Sequence, residues 1–475
     1  MENNLYNQVA DRVISQIEEG VYTPGDKLLS VRAMSKQQSV SVSTVLTAYG
    51  ILEDRGFVEV RAKSGYYVRR SVAKTPQAPV ISQKTSAPQK VTKAQRIMEV
   101  MRDGSNPNFL NLSSAIPAND FPVLHQLKKI FSSIVRNKKF VGVGYDGPKG
   151  NEPLRRELAK RAMDAGMLVS PDDIVTTSGC QNAMEISLRA LTKPGDIVAI
   201  ETPCYYGMLQ LLEAHGLKII EIPSDASTGM SIDALKLALE QWEIKAIISI
   251  PCYNNPTGSL MPDEHKRQIV ELIHHYNIPL IEDDIYAELG YKDKRPKSIR
   301  SFDDKGQVIL CSSVSKTLDP GLRVGWIIPG IYQEQIEYQK FVSSVSVAIL
   351  PQLAVAEMLK HGGYDRHLRL ARDTYRRRRN QLLDLIDEHF PKDTRVSKPQ
   401  GGFVVWAQLP KPINVSELYL QARSKDISIS PGEIFSSSNK YHSSIRLTYS
   451  HSWTQGRIKA IQILGELMAD QLNSI

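Results

Sequence analysis

The 475 residues contain no run approaching the roughly 18 consecutive apolar positions that a membrane-spanning helix needs. The opening, MENNLYNQVADRV, has acidic and amide residues where a secretory leader would be basic and then apolar. A cytoplasmic protein without a membrane partner is expected. Cysteine is scarce: Cys180, Cys204, Cys252 and Cys311 stand too far apart for a zinc ribbon or a CxxC redox pair. Four reduced, half-buried thiols and no metal site are expected. Aromatics make up 7%, apolar residues 41% and charged residues 23%, which excludes low-complexity, collagen-like and wholly disordered chains. There is no internal repeat. The length calls for several domains, or one large α/β unit with something smaller attached.

What is present begins with charge. The net charge is +8. Residues 1–70 contribute only +1, residues 71–108 contribute +4, and the remaining 367 contribute +3. The excess in the front quarter suits an encounter with a polyanion, although a charge run is more often a solvated face.

Leu5, Val9, Val13, Ile14 and Ile17 recur at helical spacing up to Gly20. Pro24-Gly25 makes a turn. A second helix opens at Ser30, whose hydroxyl suits an N-cap, and a third runs from Ser41 to Gly56. Val45, Leu46, Tyr49 and Leu52 are expected to face inward. FVEV and YYVRR, joined by RAKSG, read as a hairpin. Three helices and a hairpin fit a winged helix-turn-helix, or a small cap on a larger body. LYNQVADRVISQIEEGVYTPGDKLLSVRAMSKQQSVSVSTVLTAYGILEDRGFVEVRAKSGYYV resembles the GntR DNA-binding domain over nearly its whole length. That resemblance implies a double-stranded DNA operator as partner, with the helix from Ser41 in the major groove. It points to Arg32, Ser41, Ser43, Thr44 and Gly65 as contacts. Val42 and Thr47 stand where the family often has basic residues, so base readout falls to hydroxyl and methyl groups.

Residues 71–93 mix Pro, Ser, Thr, Gln and Lys without a period and read as a linker. Extended, they span about 70 Å at ~3.1 Å per residue. From about residue 109, helices alternate with the runs DIVTTS, DIVAIE, KAIISI, IPLIEDD and QVILCSS. This is the pattern of a mostly parallel sheet wrapped by helices, with ligands beyond the strand C-termini. The expected division is 1–70 winged helix-turn-helix, 71–108 linker and lead-in, and 109–475 effector domain.

Polar motifs follow those runs. Each alone is a common turn or cap. Together, Ser178-Gly179-Cys180-Gln181, Tyr205, Asn255-Pro256-Thr257-Gly258, Asp283-x-x-Tyr286, Ser313-x-Ser315-Lys316 and Arg323 resemble fold-type I pyridoxal-phosphate enzymes of the aspartate aminotransferase family. The resemblance implies pyridoxal 5'-phosphate as cofactor. Lys316 would form its Schiff base, Asp283 would face the pyridine nitrogen, and Asn255 and Tyr286 the phenolic oxygen. Tyr205 would stack on the ring. Gly179 and Cys180 N–H groups, Ser313, Ser315 and Arg323 would hold the phosphate. Tyr145 matches a tyrosine that reaches the neighbouring subunit's phosphate, which implies a homodimer. Arg446 matches the clamp for a substrate carboxylate.

A winged helix joined to an aminotransferase-like body resembles the MocR subgroup of GntR-type regulators. The resemblance implies a transcriptional regulator that senses an amino acid or amine by aldimine exchange at Lys316. Two alternatives stand beside it: a catalytically active aminotransferase with an attached DNA-binding domain, and a sensor of the cofactor itself.

Overall fold

The computed structural model describes residues 4–61, 64–69, 77–79, 87–88, 94–136, 144–292, 294–438 and 440–473. The chain divides into two units, Met1–Pro76 and Gln77–Ile475. Apart from residues 77–79 and 87–88, the segment read as a linker lies outside the described residues.

In the first unit, α1 (Leu5–Glu18), α2 (Val31–Gln38) and α3 (Val42–Asp54) precede a hairpin of β1 (Val58–Arg61) and β2 (Gly65–Val68). The caps are those that the hydroxyls suggest: Ser30 accepts from Ala33 N–H at 3.2 Å and Ser41 from Thr44 N–H at 3.0 Å. Val9, Val13, Met34, Val45, Tyr49, Leu52, Val58 and Val68 form the core, and the Tyr49 hydroxyl donates to Leu29 O. Leu46 departs from expectation: it is 48% exposed. Val45, Ala48, Tyr49 and Leu52 already fill the inward stripe at three- and four-residue spacing. One residue past Val45 is a turn of ~100° away from that stripe, which carries Leu46 toward solvent.

The second unit starts its regular structure with α4 (Ala94–Ser105), inside the stretch read as lead-in, then β3 (Leu110–Asn111), α5 (Val123–Arg136) and α6 (Glu152–Asp164). The large sheet comprises β4 (Val175–Thr177), β5 (Ile197–Thr202), β6 (Lys218–Asp225), β7 (Gly229–Met230), β8 (Ile244–Ser249), β9 (Leu280–Asp283), β10 (Val308–Ser313) and β11 (Gly325–Ile328). Helix α7 (Cys180–Leu191) follows β4 directly. The order across the sheet is β4-β11-β10-β9-β8-β5-β6-β7. Strands β6, β5, β8, β9 and β10 run parallel, while β11 and β7 pair antiparallel with their neighbours. The five runs read as strands form β4, β5, β8, β9 and β10. Their central residues are buried because helices cover both faces.

A smaller antiparallel sheet, β12 (Arg395–Val396), β13 (Val404–Gln408), β16 (Ser444–Thr448) and β15 (Ser430–Pro431), completes the body. Strand β14 (Ile427–Ser428) pairs with β3 and ties the start of the unit to its end.

Gly325 brings β11 against the turn before α7. A Cβ there would lie 2.6 Å from the Gly179 carbonyl carbon and 2.9 Å from Ser312 O, both backbone atoms with little room to yield. Gly325→Ala is therefore expected to cost about 1–3 kcal/mol. Gly147→Ala, where a Cβ meets nothing within 4 Å, should stay within about 0.5 kcal/mol. Urea unfolding followed by tryptophan fluorescence checks this, because Trp242, Trp326, Trp406 and Trp453 all belong to the second unit.

Candidate functional site

Parallel strands end at one edge, and the turns beyond that edge carry the polar motifs. After β4, Gly179 adopts φ +90° and turns the chain into α7. The first amides of α7 have no acceptor within the helix, so they present N–H groups and the positive end of the dipole. Arg323, at the edge of β11, lies across this turn and donates to Ser178 O at 2.6 Å. A Cβ on residue 179 would meet its guanidinium at 2.6 Å, so the close approach requires glycine.

Beyond β9, Asp283 Oδ1 accepts from Ile285 N–H at 3.1 Å and from Cys180 Sγ at 3.4 Å. Burial pushes this carboxyl above its usual range, opposed by those two donors and by Lys316. Beyond β10, the Lys316 ammonium is half-buried and donates to Ala115 O at 2.7 Å. Desolvation, and then the neighbouring Arg446 charge, lower its pKa to about 8. Ser315 Oγ and Tyr286 Oη are buried with no hydrogen-bond partner. Native structures rarely leave such groups unpaired, and an orphaned pair on one wall marks a place where a polar ligand fits.

Cys180, Tyr205, Asn255, Asp283, Tyr286, Ser315, Lys316 and Arg323 all line one cavity of about 240 Å³. Other residues proposed from the sequence lie elsewhere. Arg446 is fully buried behind the wall, donating to Asn255 Oδ1 at 2.9 Å, Ser430 Oγ at 3.0 Å and Ser113 O. Its Nε has no partner. Ser313 lines a separate, smaller cavity, and its hydroxyl accepts from Ser315 N–H. Tyr145 is 83% exposed and away from the cavity of its own chain.

Sequence reasoning missed part of the wall. Val100, Met101 and Ser105 of α4, Ser113 and Ile116 after β3, and Ser430 of β15 also line it. The i, i+3 and i+4 spacing of Ile97, Val100 and Met101 was a signal for a packed helix, but nothing local ties that helix to a wall that resumes only at Cys180 and runs on to Ser430.

In the first unit, the expected DNA-facing hydroxyls gather at the start of α3. Ser41 Oγ lies 2.7 Å from Ser43 Oγ and 2.8 Å from Thr44 Oγ1. Arg32, Ser41 and Ser43 are exposed, Thr44 is half-buried, and Gly65 opens β2 at the hairpin with φ +119°.

Residues 5–68 match the family of bacterial regulatory proteins called gntR, and residues 108–460 match aminotransferase class I and II. The HTH-type transcriptional regulator YjiR of Escherichia coli K12 is 38% identical over 461 residues, covering 97% of this chain and 98% of that protein. The chain belongs to the MocR subgroup of GntR-type regulators.

Other MocR-like relatives agree with this. The HTH-type regulator YdcR of E. coli K12 is 33% identical, with 98% of this chain and 99% of that protein covered. Among solved structures, the multiple substrate aminotransferase of Thermococcus profundus superposes with a TM-score of 0.74 at 26% identity, covering 81% of this chain and 97% of that one. The α-aminoadipate aminotransferase LysN of Thermus thermophilus, solved with N-(5'-phosphopyridoxyl)-L-leucine, gives 0.72 at 25% identity over 81% of this chain and 100% of that one. The MocR chain is thus a transcription regulator with an aminotransferase-like body. Among its described residues, no helix is long and apolar enough to cross a membrane.

The lowered Lys316 pKa makes a sign-definite prediction. Only the unprotonated amine attacks a carbonyl, so trapping of a small aryl aldehyde on Lys316 by borohydride should accelerate as pH rises through about 8. Exposed lysines should respond near ~10.4 instead. Peptide mass spectrometry across pH 6–11 (roughly the span of the two values) separates the two groups.

Proposed function

We propose that this protein is a cytoplasmic transcriptional regulator whose body holds pyridoxal 5'-phosphate and senses an amino acid or amine. The observation that carries the reading is the convergence, in one cavity, of the half-buried Lys316 amine with Asp283 and the two unpartnered hydroxyls of Tyr286 and Ser315. That donor set suits a phosphorylated hydroxypyridine carbaldehyde. Once bound, the cofactor supplies an aldehyde carbon that condenses reversibly with amines.

The chain's own residues do the rest. Lys316 would offer the resident amine. Asp283 would face the ring nitrogen and favour its protonated form. Tyr286 and Asn255 would hold the ring oxygen, and Tyr205 would cover a ring face. Gly179 and Cys180 N–H groups, Ser315 and Arg323 hold the phosphate, with Ser313 supporting Ser315. An effector carboxylate reaches Arg446 by taking over contacts now made by Ser430 and Ser113. Tyr145 extends toward the partner's site in a homodimer. Arg32, Ser41, Ser43, Thr44 and Gly65 meet the DNA operator, hydroxyls at a helix N-terminus being suited to phosphate. An effector shifts DNA binding only through its differential affinity for two states of the protein.

A screen of cofactor absorbance against amino acids and amines tests this. Wild type should show a bound chromophore that changes with the effector, and Lys316→Ala should lose the covalent adduct detected by mass spectrometry after borohydride reduction. An unchanged adduct in Lys316→Ala would overturn the assignment.

The completeness of the donor set, with a lysine able to exchange a proton near neutral pH, also favours aminotransferase activity as a second reading. Incubation with amino donors and a keto acid decides between them. A regulator should complete about one turnover or fewer per site, whereas sustained multiple turnover would establish the enzyme.

A further inference from the structure

We propose that the Cys180 thiol is a positioning residue for Asp283, donating to Oδ1 so that Oδ2 is left for a ring nitrogen in the cavity. This rests on the cofactor reading above. The geometry comes from two elements meeting at the strand edge. Asp283 ends β9, and Cys180 is the first residue of α7, so its side chain hangs over the end of the neighbouring strands. Both protein donors to the carboxylate, Ile285 N–H and the Cys180 thiol, go to the same oxygen, Oδ1. Among the described residues no hydrogen-bond donor reaches Oδ2, and both Asp283 and Cys180 line the cavity.

The direction of the bond is fixed by charge. A thiol at a helix N-terminus is ordinarily inclined to ionise. Here burial, and then the Asp283 carboxylate, push it well above its ordinary range, with Cys311 and Asp284 adding to the effect. The sulfur keeps its proton and can only donate toward Asp283. On the carboxylate side, Lys316 is the facing cation, and the two donors offset the desolvation that favours the neutral acid. Loss of the thiol proton donor leaves Oδ1 with the Ile285 amide alone. The carboxyl then becomes easier to protonate and freer to rotate, both of which weaken its hold on a protonated ring nitrogen.

The test compares Cys180→Ala with Cys180→Ser in the full-length protein. Serine restores a donor at nearly the same place; alanine does not. Three quantities are measured: the dissociation constant for pyridoxal phosphate by absorbance titration, the pH midpoint of the bound chromophore, and the Asp283 carboxyl titration in cofactor-free protein. The last is read by infrared difference spectroscopy with ¹³C-aspartate, with Asp283→Asn for assignment. Cys180→Ala should bind the cofactor roughly fivefold more weakly, the effect of one lost hydrogen bond. It should also move the chromophore midpoint and raise the Asp283 titration. Cys180→Ser should remain within about twofold of wild type, since a hydroxyl is at least as good a donor.

If Cys180→Ala behaves as wild type in all three, the inference is wrong. If Cys180→Ser is impaired as much as Cys180→Ala, sulfur packing rather than hydrogen donation is the role, and the inference fails equally. If wild type itself takes up no cofactor, the cofactor reading falls. The infrared titration still decides whether the thiol holds Asp283.

Discussion

A half-buried lysine amine close to a fully buried guanidinium is the constraint around which the site is arranged. Lys316 and Arg446 each cost solvation energy, and each raises the cost of the other's charge. The fold answers from several directions at once. Ala115 O accepts from the amine, Asp283 supplies the opposing charge, and Asn255, Ser430 and Ser113 surround the guanidinium. These partners come from four widely separated stretches of chain. Only a sheet whose strands end together, closed by the pairing of β3 with β14, can assemble them.

Glycine makes that assembly compact. The Gly179 turn must accept Arg323 on one side and Gly325 on the other, and a side chain at either glycine would occupy space already taken. The α7 N-terminus, the Arg323 guanidinium and the Asp283 carboxylate thereby come within reach of a single small molecule. Complementary charges at the two ends of the cavity follow from this, with the cationic end at the helix start and the anionic end at β9.

Much of this was legible from local chemistry. Ser30 and Ser41 announce helix starts because a hydroxyl before a helical run has one obvious use. The five apolar runs announce buried strands because each gathers several apolar, mostly β-branched residues over a length too short for a helix. The motifs, read in order, gather the polar residues around Lys316 but leave much of the cavity wall unnamed. What was not legible depends on distance through space. Leu46 is as apolar as Val45, and only the packed stripe of α3 decides which one is buried. Arg446 could be placed near the site by its resemblance, but not behind the wall, because Ser430 and Ser113 give no sequence sign of holding a guanidinium.

The four cysteines, all free and fully rather than half buried, carry a final consequence. Burial pushes every one of them upward, Cys252 to about 12. Peroxide and disulfide exchange act on thiolates, which are vanishingly few at neutral pH under these conditions. The folded body therefore keeps its thiols chemically quiet, and a thiol can sit beside the reactive centre without becoming a second one.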